Sequence, residues 1–310
     1  MYGKSYAVTW SRMSDYFPAS SGYSLFENDA KVSIEINDTI QGYLGDCWVL
    51  AFIASMAEHP DRIWDMFDQK AYNESGVYSI RMYEMGAPIS VVIDEFLPVY
   101  TPWGDNMFAW VNYQKEMWPI LIEKAFSKLM GNYRTIEGGW PTDAGMAFMG
   151  TPSYWKSSSN YTGDALHALV TAEDNANSVM WCATSSSMNG IIGGHAYSLI
   201  DAHTLSNGVK LLRIRNPWGN SEWTGEWCDA DFAANKSQFA SEVGFVSKND
   251  GDFFMTVNDF KIHFPQFGWT VGAEGLHHAN FLHLEESATT QIGEAGTTSY
   301  CGSTCTLVKF

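Results

Sequence analysis

Residues 41–54 read QGYLGDCWVLAFIA: a polar stretch broken by glycines at 42 and 45 runs without a spacer into an unbroken apolar one, with Cys47 at the junction. From Cys47 to Glu58 nearly every position is apolar, and Pro60 closes the run, which is the pattern of a helix buried on all sides. A thiol in the first turn of such a helix meets the positive end of the helix dipole and unpaired backbone N–H groups, and both favour thiolate over thiol. The glycines admit the close approach of another backbone, and Gln41 offers a side-chain amide able to donate to a developing oxyanion. A small buried cysteine opening an apolar helix would read the same way. The partners of Cys47 decide between the two.

A thiolate nucleophile needs a base, and the base an orienting group. Of the eight histidines, His195 in GGHAYSLID opens a strand after two glycines, and strand alternation aims it to the same side as Tyr197. Further on, LLRIRNPWGNSEW places Asn216 at a strand end, where Pro217 stops the ladder and Trp218 follows. Asn216 is expected to accept the Nδ1–H of His195, with Trp218 covering that bond from water. Taken singly, His195 reads as a structural histidine and NPWG as an ordinary turn. Together they give the papain-like order of Cys on a helix, His about 150 residues on, then Asn.

Outward from these blocks, GVYSIRMY (76–83) and PISVVIDEFLPVY (88–100) alternate as strands, and EMWPILIEKAFSKLM (116–130) has apolar residues at helical spacing before a Gly131–Asn132 cap. A glycine-containing break over 138–152 precedes strands at 178–185, 195–205, 209–216 and 252–257. The expected organisation is an N-terminal segment (1–35), a helical lobe (36–150), a β-rich lobe (151–264) and a tail (265–310) to which the sequence assigns no fold. The fold class is α+β.

Composition limits the function. The 310 residues suit two modest lobes, and 45% apolar content with 13 tryptophans is ample to fold. A net charge of −17 with only 18 Lys+Arg and no basic run argues against nucleic acid as a partner. The carboxylates serve solubility or ligate a hard cation such as Ca²⁺. No stretch approaches the roughly 18 apolar residues of a membrane helix. Five scattered cysteines, 47, 182, 228, 301 and 305, suit the reducing cytoplasm, although Cys301 and Cys305 in CGSTC are spaced for a local bridge or half a metal site.

QGYLGDCWVLAFIAS, GGHAYSLIDA and LLRIRNPWGNSEWTGEW resemble the cysteine, histidine and asparagine blocks of the calpain family, with weaker likeness in VVIDEFLPVY, EMWPILIEKAFSKLMGNY and NDGDFFMTVNDF. The resemblance runs from about Trp10 to about Phe264. It implies a two-lobed papain-like fold and limited proteolysis of protein substrates. Cys47 would be the nucleophile, His195 the base, Asn216 the orienter, Gln41 the oxyanion donor and Trp218 the tryptophan that moves in the cleft. It also implies Ca²⁺ in the second lobe at Glu222, Asp229, Asp250 and Asp252, and in the first lobe at Asp38. There the family's usual glycines are replaced by KVSIEIN, and its acidic segment keeps only Asp143. No EF-hand motif occurs, and too few residues follow the core for a β-sandwich, so a core-only protease or part of a longer chain is expected. The rival readings are a catalytically impaired calpain-like binding module and, further off, transglutaminase-type acyl transfer, which expects Asp where Asn216 stands.

Overall fold

The structure is a computed structural model describing residues 8–16, 22–100, 105–110 and 116–272; Cys301, Cys305 and the rest of the expected tail beyond 272 lie outside it. The helix Cys47–Ala57 is buried at every position from Trp48 on. With no polar face it can only be a core axis, and the helices Trp118–Leu129 and Pro141–Met149 pack around it. The second of these occupies the stretch read from sequence as a break. Pro141 at its first turn and Gly150 in a left-handed cap delimit it, and Gly145 lies where a Cβ would strike Thr270 and Ser153.

Two small antiparallel sheets fringe this helical core. One joins β1 (Val8–Arg12), β4 (Phe96–Tyr100) and β5 (Asp105–Asn106); the other is a hairpin of β2 (Val77–Glu84) and β3 (Ala87–Asp94). The hairpin turns at Met85 and Gly86, both at positive φ, as a two-residue turn matching strand twist requires. The single strand expected over 88–100 divides at Glu95. Its buried carboxylate accepts from Arg12 Nη1 at 3.0 Å and Ser14 Oγ at 3.3 Å, tying the chain to β1 instead.

The second lobe is one six-stranded antiparallel sheet in the order β10 (Asp252–Thr256), β9 (Lys210–Arg215), β8 (Ala196–Thr204), β7 (Val179–Ala183), β11 (Gln266–Thr270), β6 (Ser153–Ser157). β11 lies beyond residue 264, where the sequence assigned no fold, yet it pairs on both sides. Gly268 makes this possible, because a Cβ there would meet Tyr154 O at 2.2 Å.

The core does not stop at the seam between lobes. Val179, Trp181 and Ala196 belong to the same apolar cluster as the Cys47 helix. Ser55 Oγ donates to Met180 O and Ser198 Oγ to Ala51 O, each at 2.7 Å. Arg215, fully buried, donates through Nε to Asn37 Oδ1 and through Nη2 to Thr39 O, both at 2.8 Å.

Candidate active site

Cys47 opens its helix half-buried, and the N–H of Ala196, next to His195, donates to its sulfur at 3.5 Å. Trp48 locks the helix entrance from behind, its indole donating to Ile136 O at 2.9 Å and its ring filling the space a Cβ at Gly139 would need. Gly42 allows the close backbone approach expected of it: a Cβ would lie 1.7 Å from Phe108 O. Gly45 is not so crowded. Its carbonyl accepts from Gly138 N at 2.8 Å, which holds the 138–140 segment beside the loop that leads into Cys47.

His195 and Asn216 meet across β8 and β9, both buried, at 2.8 Å from Nε2 to Oδ1. The ring nitrogen is therefore Nε2 and not the Nδ1 expected from sequence. The amide direction of Asn216 is fixed by its other bonds: Oδ1 accepts from Trp218 N at 3.1 Å, and Nδ2 donates to Ser221 O at 3.0 Å. An oxygen facing the ring requires Nε2 to carry the proton, which leaves Nδ1 as the basic lone pair. Trp218 lies over the imidazole with centroids 4.8 Å apart, and Tyr197 meets the ring edge-on at the same distance. Backbone bonding of His195 to Thr184 in both directions holds the strand start.

Electrostatics depart from the sequence reading. Burial pushes the Cys47 thiol up to about 11 despite its helix N-terminus, with the neighbouring Asp46 charge adding to the effect. Burial also pulls His195 down to about 4 against the bond to Asn216. Burial thus disfavours the charged form of each group, thiolate and imidazolium alike. Gln41 Nε2 donates to Leu44 O at 2.6 Å, leaving its second N–H uncommitted, and Gln41 N donates to Pro217 O at 2.8 Å across the seam.

The carboxylates expected to ligate calcium are distributed differently. Asp252 is held by Arg213, from Nε at 3.1 and 2.9 Å and from Nη2 at 2.5 Å. Asp250 faces Lys248 Nζ at 3.6 Å, Glu222 Oε1 accepts from the backbone of Asp250 and Gly251, and Asp229 accepts from Lys248 N. Among the described residues, no three His, Cys, Asp or Glu side chains converge as they would on a metal ion. In this arrangement the chain's own cations and backbone amides engage part of the set, Arg213 and Lys248 standing where a dication would have to compete. The strain of the acidic cluster is nevertheless visible. Burial, with the charges of Asp229 and Asp250, raises Glu222 to about 7, and burial, with Asp250 and Asp252, raises Asp229 to about 6. Asp38 of the first lobe is fully buried, accepts from Glu35 N at 2.7 Å and hydrogen-bonds Glu116, so it presents nothing to an ion.

Sequence reasoning missed Arg215, which pins the lobes beside Asn216, and the buried Glu123 facing Asp46. A charged residue inside an apolar strand or helix run was the available signal in each case.

No helix among the described residues is long and apolar enough to cross a membrane. Residues 2–269 match the family model of the calpain family cysteine proteases. The chain is 33% identical over 250 residues to Calpain-A of Drosophila melanogaster, covering 74% of this chain and 30% of that protein. It is 31% identical to the calpain-type cysteine protease DEK1 of Zea mays over 75% of this chain and 11% of the relative. To the Calpain-1 catalytic subunit of Rattus norvegicus it is 29% identical over 83% of this chain and 37% of the relative. It thus spans little more than a third, at most, of the length of these relatives. With helices and sheets in a papain-like arrangement and a match over nearly its whole length, the chain belongs to the calpain family of cysteine proteases.

Proposed function

We propose that this chain is a cysteine endopeptidase that cuts protein substrates at a few exposed segments, through Cys47, His195 and Asn216. The observation that carries the reading is the fixed Asn216 amide, which forces the proton onto His195 Nε2 and leaves Nδ1 free as a base. His195 Nδ1 takes the thiol proton as Sγ bonds to the peptide carbonyl carbon. The second N–H of Gln41 donates to the oxygen that gains charge. His195 then gives the proton to the departing amine as the C–N bond breaks, leaving a thioester on Cys47. Water, deprotonated by the same nitrogen, releases the acid and restores the thiol. Trp218 keeps water off the His195–Asn216 bond throughout.

Calcium regulation through the second lobe belongs to the same proposal. Its support is the raised carboxyls of Glu222 and Asp229, which a dication would relieve. Binding would require Asp252 and Asp250 to leave Arg213 and Lys248. Location in the cytoplasm is also proposed, supported by the thiols Cys47, Cys182 and Cys228, all free.

The test is labelling by an epoxide-type cysteine-protease probe with and without millimolar Ca²⁺, the modified residue being located by mass spectrometry. Labelling of Cys47, lost in Cys47→Ser together with peptidase activity, is the expected result. An unlabelled Cys47 in both conditions would transfer the chain to the binding-module reading. Labelling independent of Ca²⁺ would remove calcium alone from the proposal.

A further inference from the structure

The two edges of the six-stranded sheet are finished differently. At one, β10 is buried at its three central residues, with Phe254 packed among Trp227, Phe232 and Val243. At the other, β6 carries Tyr154 and Trp155 42% and 55% exposed, followed by an exposed Lys156. The bonds from Val271 N to Pro152 O and from Ser158 N to Pro265 O, each 3.0 Å, fix which groups of β6 are used. In an antiparallel ladder alternate residues bond the partner strand. Tyr154 and Lys156 therefore turn their N–H and C=O toward β11, and Ser153, Trp155 and Ser157 turn theirs to the open side. An open edge is a template for a further strand, which proteins commonly block with proline, bulges or charge. Within Ser153–Ser157 there is neither proline nor bulge, and Lys156 is the one charged residue.

Charge and sequence select what can lie there. The chain has 35 Asp+Glu against 18 Lys+Arg, yet no carboxylate occurs from Ala144 to Gly163, in β7 or in β11. Two copies of an acidic protein can approach along this edge with little local repulsion. The strand SYWKS is also self-complementary. Turned antiparallel about Trp155 and laid against itself, it pairs Ser153 with Ser157 and Trp155 with Trp155 through their outward backbone groups. Tyr154 then stands opposite Lys156 of the second copy, in the non-hydrogen-bonded position where side chains come closest, and an ammonium over a phenol ring is attractive.

We propose that β6 is a self-association surface, at which two copies of this chain join their six-stranded sheets edge to edge about a two-fold axis at Trp155. The contact uses the same strand of both copies, so it closes at a dimer. It adds about six backbone hydrogen bonds, two for each facing pair of the outward residues. A strand of 5 residues covers well under the roughly 800 Å² per partner of a stable complex, so the dimer is concentration-dependent, with a dissociation constant on the order of 10 μM. The proposal is independent of the peptidase reading, since none of Cys47, His195 and Asn216 takes part.

Sedimentation velocity of the full chain, from about 1 to about 200 μM, tests it. The mean mass should climb with concentration from 34.6 kDa toward twice that value. Trp155→Lys, which sets like charges opposite each other at the axis, should weaken association about tenfold or more. Trp10→Lys, at an equally exposed tryptophan of another sheet, should leave it unchanged. Register is read by cross-linking: a mixture of Tyr154→Cys and Lys156→Cys chains should form a disulfide-linked heterodimer under mild oxidation, and neither variant alone should. Circular dichroism establishes that the variants fold. A chain monomeric throughout, a dimer indifferent to Trp155→Lys, or a mixture that does not cross-link overturns the proposal. Cross-linking of Tyr154→Cys to an added Thr/Val strand peptide carrying one cysteine, while the chain stays monomeric, would assign the edge to a foreign strand and overturn it equally.

Discussion

In the first lobe acid leans on acid, Asp46 on Glu123 and Asp38 on Glu116, and burial raises both aspartates. In the second, Asp252 and Asp201 both face the guanidinium of Arg213, and Asp201 also meets His203 at 2.7 Å. The burial problem is the same, and the neutralising species differs. A proton can be withdrawn by pH, whereas a guanidinium remains charged over the whole accessible range and yields only to a competing cation. The acid pairs of the first lobe should therefore answer to pH, and the carboxylates around Arg213 to competing cations.

Arg215 belongs to both regimes, since it spans the seam and its charge acts on Asp38, Asp250 and Asp252. Arg215→Met leaves Asn37 Oδ1 and Thr39 O without their donor. It should cost about 3 kcal/mol in urea unfolding. A loss below about 1 kcal/mol would mean that the lobes are held by apolar packing alone.

The next effect is pH. Asp46, Glu58 and Asp38 are raised to about 7, 8 and 9 in the fold, chiefly by burial. Groups raised above their unfolded values stabilise below those values, and the contribution is lost as pH climbs through the folded ones. The thermal midpoint should fall by about 6 °C between about pH 6 and pH 9. On the acid side His195, lowered to about 4, acts oppositely, stability being lost as pH falls from the ordinary histidine value toward that figure. A midpoint flat from neutral to alkaline pH would contradict proton neutralisation in the first lobe.

Arg213→Gln should cost about 1.5 kcal/mol, since Asp252 keeps one amide donor in place of a guanidinium. The same variant should tighten calcium binding measured by calorimetry. Unchanged affinity would show that Arg213 does not compete for the site. The smallest effect is expected of Glu222→Gln, which retains the acceptor for Asp250 N and Gly251 N while removing a repelled charge. Above the raised carboxyl value of about 7 it should stabilise by less than about 0.5 kcal/mol after solvent screening, as thermal melts at alkaline pH would reveal.

The candidate constellation was legible as residues because each member carries a local signal: an apolar run for the Cys47 helix, period two for His195 with Tyr197, and a proline after Asn216. Which ring nitrogen faces Asn216 was not legible, because it depends on how the strand start at Thr184 orients the imidazole. The helix Pro141–Met149 was hidden by Gly145, a residue chosen for close packing against Thr270 and Ser153 rather than for helix propensity. β11 was hidden by Gly268 for the same kind of reason. Asp46 and Glu123 are far apart in the chain, and pairing of that kind leaves no periodic trace.

β11 enters between β7 and β6, so the strand that is last in the described chain occupies an interior place in the six-stranded sheet. During synthesis, β6 emerges more than a hundred residues before its partner, as the bond between Ser153 Oγ and Thr270 Oγ1 at a separation of 117 records. Until residues 266–270 leave the ribosome, β6 and β7 have no strand to join them, and the helix Pro141–Met149 lacks the Thr270 surface against which Gly145 packs. The nascent cleft is consequently incomplete, and completion of the sheet is a late folding event. The sheet whose strands lead to His195 and Asn216 therefore reaches its full width only once residue 270 is available to it.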